Sequence, residues 1–502
     1  MAMNDNHANV FNKKFGWAFL LLTLLFVSCS HGKYPENLTM IPSDASMVLC
    51  VDMNQLLKKA AVSSNNETAS FDVLSQMASL KVPMLAWWIH HPDQSGIDFH
   101  QAIFGFETAS HQVGVTFLLH SKSDFRKALQ NAIASVRSGS ASIVSLPHLE
   151  YLFLPEQDST VIVWDRHKAL VLFHSLPKQA SAVFMTKESQ SMVANADFVH
   201  FYSHCQDVSC WIDPQKMMDG SSAGLSGNAT NGKEQSFVHG YLSFHKGVIE
   251  LKADGVESIV PFSWVNVEAN DSLPFLLPAS SLLSAHVALH PEAVLKALSE
   301  RKMAGSTPWE SLLQSWSGNA VISLTGFSQG DGALPQVLLL AKLKDKAGFD
   351  VVVNELLRAF PHEQKEGFTK VTVQMVPLYA ALKGKIMLLT TSLPFVRDFV
   401  KGNKNQPTTK IHGLASTVSD PVYFYLNLDF EHYPEGFNDF MQNFPIGGSL
   451  DLVKQAFLFK EIVFSYNPKQ QQVKVQCHMN DTTQNSLHVI VNKFNDLFIS
   501  KH

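Results

Sequence analysis

Several side chains in this 502-residue sequence are of types that do chemistry, and their spacing decides whether they can. Gly220-Ser221-Ser222-Ala223-Gly224 fits the G-x-S-x-G pattern, in which a sharp strand-to-helix turn lifts a serine toward a histidine base. Here it stands inside Asp219 to Gln235, a run of Gly, Ser and Asn with no strand close before it. A loop is expected there rather than a nucleophile. The 22 histidines invite a metal reading. His90 and His91 are adjacent, so their rings diverge. His200 and His204, read as one strand face, would stand about 13 Å apart and could not chelate one ion alone. His100, His111 and His120 have no ligand spacing. There is no H-E-x-x-H, no Walker A and no G-x-G-x-x-G before a helix, so no catalytic, metal or cofactor residue is assigned. Trp87-Trp88 could stack on a sugar, but core packing is expected for them, as for Trp316. Asp52 and Asp213 stand where a strand gives way to a short helix. They could be acids, but their carboxylates suit the simpler task of accepting orphan helix N–H bonds.

Cysteine offers two further chemistries. Cys205 and Cys210 could bridge if the chain turns through Gln206-Asp207-Val208-Ser209; a zinc site would need two more ligands. With Cys50 and Cys477 the only others beyond residue 29, this is no disulfide framework. Cys29 is set apart by what precedes it. Lys13 and Lys14 are basic, Phe15 to Val27 is apolar apart from Gly16 and Thr23, and Ser28 is small, which together describe a secretory leader. The apolar run falls short of the roughly 20 residues that span a bilayer comfortably.

Phe26-Val27-Ser28-Cys29 resembles the lipobox of bacterial lipoproteins, with Phe26 where Leu is usual. That resemblance implies a cleaved signal peptide over 1–28, lipid (palmitate included) on Cys29, and a tether over 29–40 containing Gly32, Pro35 and mixed charges. The partner it implies is the outer membrane, reached through the lipid on Cys29. Charged residues are only 17% of the chain and the net charge is −5 without a long Lys/Arg cluster, so no nucleic-acid partner is expected.

The elements that would position these residues occur twice. IPSDASMVLCVDMNQLLKKA (41–60) parallels LPASSLLSAHVALHPEAVLKAL (277–298). VGVTFLLHSKSDFRKALQN (113–131) parallels VLLLAKLKDKAGFDVVVNEL (337–356), each a strand, a polar turn and a helix. The turn Asp165-Arg166-His167-Lys168 parallels Lys383-Gly384-Lys385. Phe198 to Tyr202, read as a strand, parallels Val422 to Leu428. The turn His245-Lys246-Gly247 parallels Asn467-Pro468-Lys469. The order is kept at offsets of roughly 215–235 residues, as tandem duplication would leave it. Alternation such as Leu251-Lys252-Ala253-Asp254 fits an antiparallel sheet with one solvated face, and the helices carry an apolar stripe to cover the other. The expected class is α+β in two tandem duplicated lobes, 41–265 and 274–502. Each would be a mainly antiparallel sheet with helices packed on one face.

The lipobox, the 41–60 opening, SGIDFHQAIFGF (95–106) and SGNAVISLTG (317–326) together resemble an uncharacterised family of Bacteroidetes lipoproteins of about this length, known as a domain of unknown function. The resemblance implies an outer-membrane lipoprotein and supplies no catalytic residues. Surface export in that group tends to follow an acidic run after the lipidated cysteine; Ser30-His31-Gly32-Lys33 has none, which favours the periplasmic face, with surface exposure as the alternative. The expected role is a non-catalytic binding or scaffold lipoprotein with an envelope protein or glycan partner, served by the surface between lobes. The alternative is an envelope hydrolase whose site is assembled from distant residues.

Overall fold

The computed structural model describes residues 34–60, 94–135, 142–155, 159–219, 237–258, 264–266, 273–278, 281–300, 313–328, 334–402, 420–429, 433, 436–437 and 458–499. The first half runs β1 (Ala45–Asp52), α1 (Met53–Lys59), β2 (Ala102–Thr108), β3 (Val113–Leu118), α2 (Lys122–Ser135), β4 (Ile143–Ser145), β5 (Glu150–Leu154), β6 (Thr160–Trp164) and β7 (Lys168–Leu172). It continues through α3 (Pro177–Phe184), α4 (Ala196–Tyr202), β8 (Val208–Ile212), α5 (Pro214–Asp219), β9 (Val238–His245) and β10 (Val248–Asp254). The second half runs β11 (Leu283–Ala288), α6 (Pro291–Glu300), β12 (Trp316–Phe327), β13 (Pro335–Leu343), α7 (Lys346–Ala359), β14 (His362–Lys365), β15 (Phe368–Val373), β16 (Val376–Lys383) and β17 (Ile386–Thr390). It closes with α8 (Leu393–Lys401), β18 (Val422–Asn427), β19 (Phe459–Asn467), β20 (Gln472–Met479) and α9 (Ser486–Ile499).

The chain divides into two compact units. The first comprises 1–45, 96–98 and 104–200; the second comprises 46–95, 99–103 and 201–502. In the first unit the strand order is β2-β3-β7-β6-β5-β4, every neighbour antiparallel. Its centre is apolar on both faces: Val161, Ile162, Val163, Trp164, Ala169, Leu170 and Leu172 are fully buried. Phe125 of α2 lies edge-on to both Phe117 and Trp164, at 5.7 and 5.6 Å between ring centroids. Burying a Phe of this kind contributes about 2–3 kcal/mol, which is what seats α2 on the sheet.

The second unit carries one long antiparallel order, β1-β8-β9-β10-β20-β19-β18-β11-β12-β13-β17-β16-β15-β14. One core cluster in it is built by Val321, Leu338, Leu340, Leu388 and Val396, the last from α8. Helix α8 starts where the Ser392 hydroxyl accepts the Phe395 N–H, and stops at Gly402, whose φ of 78° is left-handed. The molecule is thus mixed α/β around a large antiparallel sheet, as the alternation of the strands implied.

Turn chemistry matches the sequence closely. Asp165 Oδ1 accepts the His167 and Lys168 N–H groups between β6 and β7. Asn467 Oδ1 accepts those of Lys469 and Gln470 between β19 and β20. Asp52 caps α1 by accepting the Gln55 N–H at 2.9 Å, and Asp213 caps α5 by accepting those of Gln215 and Lys216. One expected strand is a helix instead. Phe198 to Tyr202 belongs to α4, where Asn195 Oδ1 accepts the Asp197 and Phe198 N–H groups and Phe198 and Phe201, three apart, are both buried. His200 therefore sits on a helix, and the strand-face spacing expected for His200 and His204 does not apply.

Candidate functional site

A cavity that gathers several titratable side chains lies in the first unit, at the start of α2. It has a volume of about 640 Å³ and is lined by His120, Lys122, Arg126, Glu150, Arg166 and His167 among others. These six come from the β3–α2 connection, α2 itself, the first residue of β5 and the β6–β7 turn.

Backbone hydrogen bonds fix the frame. The Leu119 N–H donates to the His167 carbonyl at 2.7 Å, tying the β3 end to the β6–β7 turn. The Gly96 carbonyl accepts the N–H groups of both His120 and Ser121. Gly96 has φ of +73°, and a Cβ there would stand 2.3 Å from the Phe125 backbone nitrogen and 2.4 Å from the Ser121 carbonyl. Only glycine permits this approach. The Ser121 hydroxyl accepts the Asp124 N–H at 3.3 Å, an N-cap for α2. The same hydroxyl, then Lys127 and His120, hold the Asp124 carboxyl below its usual range.

Glu150 is the hub. Its Oε1 receives Lys122 Nζ at 3.2 Å and Arg126 Nη1 at 3.1 Å, while its side chain is only 9% exposed. Its Oε2 is buried with no hydrogen-bond partner. With Arg166 added, the rim holds three fixed cations against this one carboxylate, before either histidine is protonated. Such a set attracts anions. The N-terminal end of a 14-residue helix adds partial positive charge in the same place.

The arrangement does not assemble nucleophilic catalysis. His120 Nδ1 faces the Ile97 carbonyl at 3.0 Å, so that nitrogen donates and holds the ring to the backbone. The Ser123 hydroxyl is paired with that of Ser121, at 3.1 Å. Among the described residues, no group of three His, Cys, Asp or Glu is placed to hold a metal ion.

The residues singled out from sequence fare differently. Cys29, Trp87-Trp88, His90-His91 and Gly220 to Gly224 lie outside the described residues. Trp316 packs with Ala341, Leu343 and Met387 and donates its indole N–H to the Asn319 carbonyl at 2.7 Å, a core role. Cys205 and Cys210 are both free thiols. Cys210 pairs with Leu49 and its neighbour Ser209 pairs with Cys50, so Cys210 and Cys50 face opposite sides of the sheet. The cysteine that acts on the Cys50 thiol is Cys205. No helix among the described residues is long and apolar enough to cross a membrane. The cationic pocket was not singled out from sequence, because Lys122, Glu150 and Arg166 are joined only by folding. The one local signal was the Ser121–Asp124 cap beside basic residues.

Fold and site together define a mixed α/β protein on a large antiparallel sheet, with an open, cation-lined pocket at a helix start. The chain belongs to the family described as domain of unknown function DUF4836, whose model matches residues 36–487. No curated protein matches it. Solved structures of TP0453 are similar over part of the chain. Crystal form I aligns at 12% identity and a TM-score of 0.27, covering 46% of this chain and 83% of that one. Crystal form III aligns at 11% identity and a TM-score of 0.22, covering 74% and 98%.

Proposed function

We propose that this chain is a non-catalytic binding lipoprotein of the bacterial envelope. It would be anchored to the outer membrane through lipid on Cys29, with its body on the periplasmic face. Its first-unit pocket would take an acidic group of an envelope protein or glycan. The observation that carries the binding assignment is the Lys122–Glu150–Arg126 cluster with Arg166 beside it. The shared carboxylate orients two cations, and a net positive charge is left over for a ligand.

The test is an array of acidic and neutral glycans and peptides probed with the purified chain. Acidic members should bind, should weaken between low and 0.5 M salt on the order of tenfold, and should be lost in Arg166→Glu combined with Lys122→Glu. Equal binding of neutral and acidic members, or turnover of any of them, would remove this assignment. The address has its own test. Cells fed an alkyne-tagged palmitate should label the wild-type chain and not Cys29→Ser.

We also propose that the body is a tandem duplication, with lobes at 41–265 and 274–502. Strand order supports it: β2-β3-β7-β6-β5-β4 has the same connectivity as β12-β13-β17-β16-β15-β14, and β1-β8-β9-β10 the same as β11-β18-β19-β20. Helices follow the first, third and seventh strands of both series.

A further inference from the structure

A second feature lies apart from the pocket, in the other unit. Cys50 is in β1, directly across from Ser209 of β8, and both are buried. Cys205 sits in the turn between α4 and β8, where its N–H donates to the Tyr202 carbonyl at 3.2 Å. The next residue closes the turn, the Gln206 N–H donating to the Ser209 hydroxyl at 2.8 Å. The Asp52 N–H donates to the Asp207 carbonyl at 2.9 Å, so the end of β1 and the start of β8 are held together on either side of the two cysteines. Within this frame Ser209, whose hydroxyl holds the Gln206 N–H next to Cys205, stands directly across from Cys50, and Cys205 is the neighbour that acts most strongly on the Cys50 thiol. Tyr202 joins the cluster; burial, and then Cys50, Cys205 and Asp52, push its hydroxyl up to about 12.

We propose that Cys50 and Cys205 are a disulfide-forming pair. The bond would fasten β1 to the turn before β8 and close a loop of roughly 150 residues, the long-loop case in which a covalent staple constrains the unfolded chain most. This goes beyond ligand binding, and it draws on the envelope address only for the oxidant, which there is a protein or small-molecule disulfide.

The chemistry runs in two exchanges. Cys205, half-buried where Cys50 is fully enclosed, presents the accessible sulfur. Its thiolate attacks one sulfur of the donor disulfide, forming a mixed disulfide and releasing the donor's other sulfur as a thiolate. Cys50 then gives up its proton and attacks the Cys205 sulfur, releasing the second donor thiolate. Two protein thiols are oxidised to one disulfide, and one donor disulfide is reduced to two thiols. The Cys205 neighbour, and then burial, hold the Cys50 thiol well above the usual range, so the second exchange is the slow one.

The test uses the purified full chain and oxidised glutathione. After incubation the chain is denatured, alkylated with N-ethylmaleimide, digested and mapped by mass spectrometry. The expected product is a Cys50–Cys205 linked peptide with Cys210 and Cys477 alkylated. It should come with a rise in Tm of several degrees that dithiothreitol reverses. Cys210→Ser should retain both effects. Cys205→Ser, checked as folded by circular dichroism, should lose both. The proposal fails if Cys50 remains alkylatable while Cys205 ends bound to glutathione or to Cys210. It fails equally if the linked peptide forms as readily in the denatured chain as in the folded one.

Discussion

Glu461 shows how a single buried carboxyl can set the pH behaviour of this molecule. It lies near the start of β19 and is 2% exposed. Loss of hydration pushes its carboxyl up to about 7 from an ordinary 4.5, only partly offset by Lys460 and by the hydroxyl of Tyr425. The native state therefore holds this proton more tightly than the unfolded chain does. The associated stability is complete below about 4.5 and falls as pH rises toward 7. The cost of ionising Glu461 in the folded state is about 3 kcal/mol. Urea melts of Glu461→Gln should be more stable than wild type at pH 8 and about equal at pH 4.5. Parallel pH profiles for the two chains would show that the group does not titrate in this window. Asp207 is a different residue-scale case. It is fully buried, accepts both Lys59 contacts at 2.7 Å, and takes the Phe244 N–H at 2.7 Å. Lys59→Met leaves that carboxylate without its cation and should cost about 3 kcal/mol in denaturant unfolding. Asp207→Asn in the same background should recover part of the loss.

At the scale of elements, what was legible in sequence was what is local. The Asp165, Gly247, Gly384 and Asn467 turns, and the Asp52 and Asp213 caps, each need only residues within three positions to be read. Asp52→Ala should accordingly destabilise by about 1 kcal/mol in thermal or urea melts, the loss of one cap. A penalty much larger than that, with binding changed as well, would point to a role beyond capping. Alternation gave the antiparallel strands. It misread α4, because Phe-Val-His-Phe-Tyr is rich in strand-favouring side chains and the decision belongs to the Asn195 cap and to the i, i+3 pair Phe198 and Phe201. The β15–β16 turn at Gln374 and Met375 uses positive φ without glycine, so it carries no glycine signal in the sequence. The pocket was invisible for a related reason. Its cations come from a helix and a turn, and Glu150, which gathers two of them, lies 24 residues beyond Arg126. The Cys50–Cys205 contact is further still from local reading.

At the scale of the whole molecule, the proposed duplication makes a prediction about β10. In the second unit β10 pairs with β20 from Val248↔His478 to Asp254↔Gln472, and under the proposed duplication β20 would be its counterpart in the other repeat. The seam is polar on one face. Lys474 Nζ lies 2.9 Å from Glu250, and the Gln476 and Gln472 amides donate to Glu250 and Asp254 at 2.9 and 2.8 Å. A chain ending after residue 265 keeps β9–β10 and removes β20, leaving seven residues of β10 as an open edge. Unpaired backbone N–H and C=O groups on such an edge seek another strand. If the repeats descend from one ancestor whose copies met edge to edge, the best available partner is β10 of a second copy. Truncated at 265, the chain should therefore be dimeric at micromolar concentration by light scattering. Leu251→Pro, which removes one ladder donor and bends the edge, should return it to monomer with the circular dichroism spectrum largely kept. A folded monomer at all concentrations, or a fragment that does not fold at all, would count against a duplicated body joined through β10 and β20.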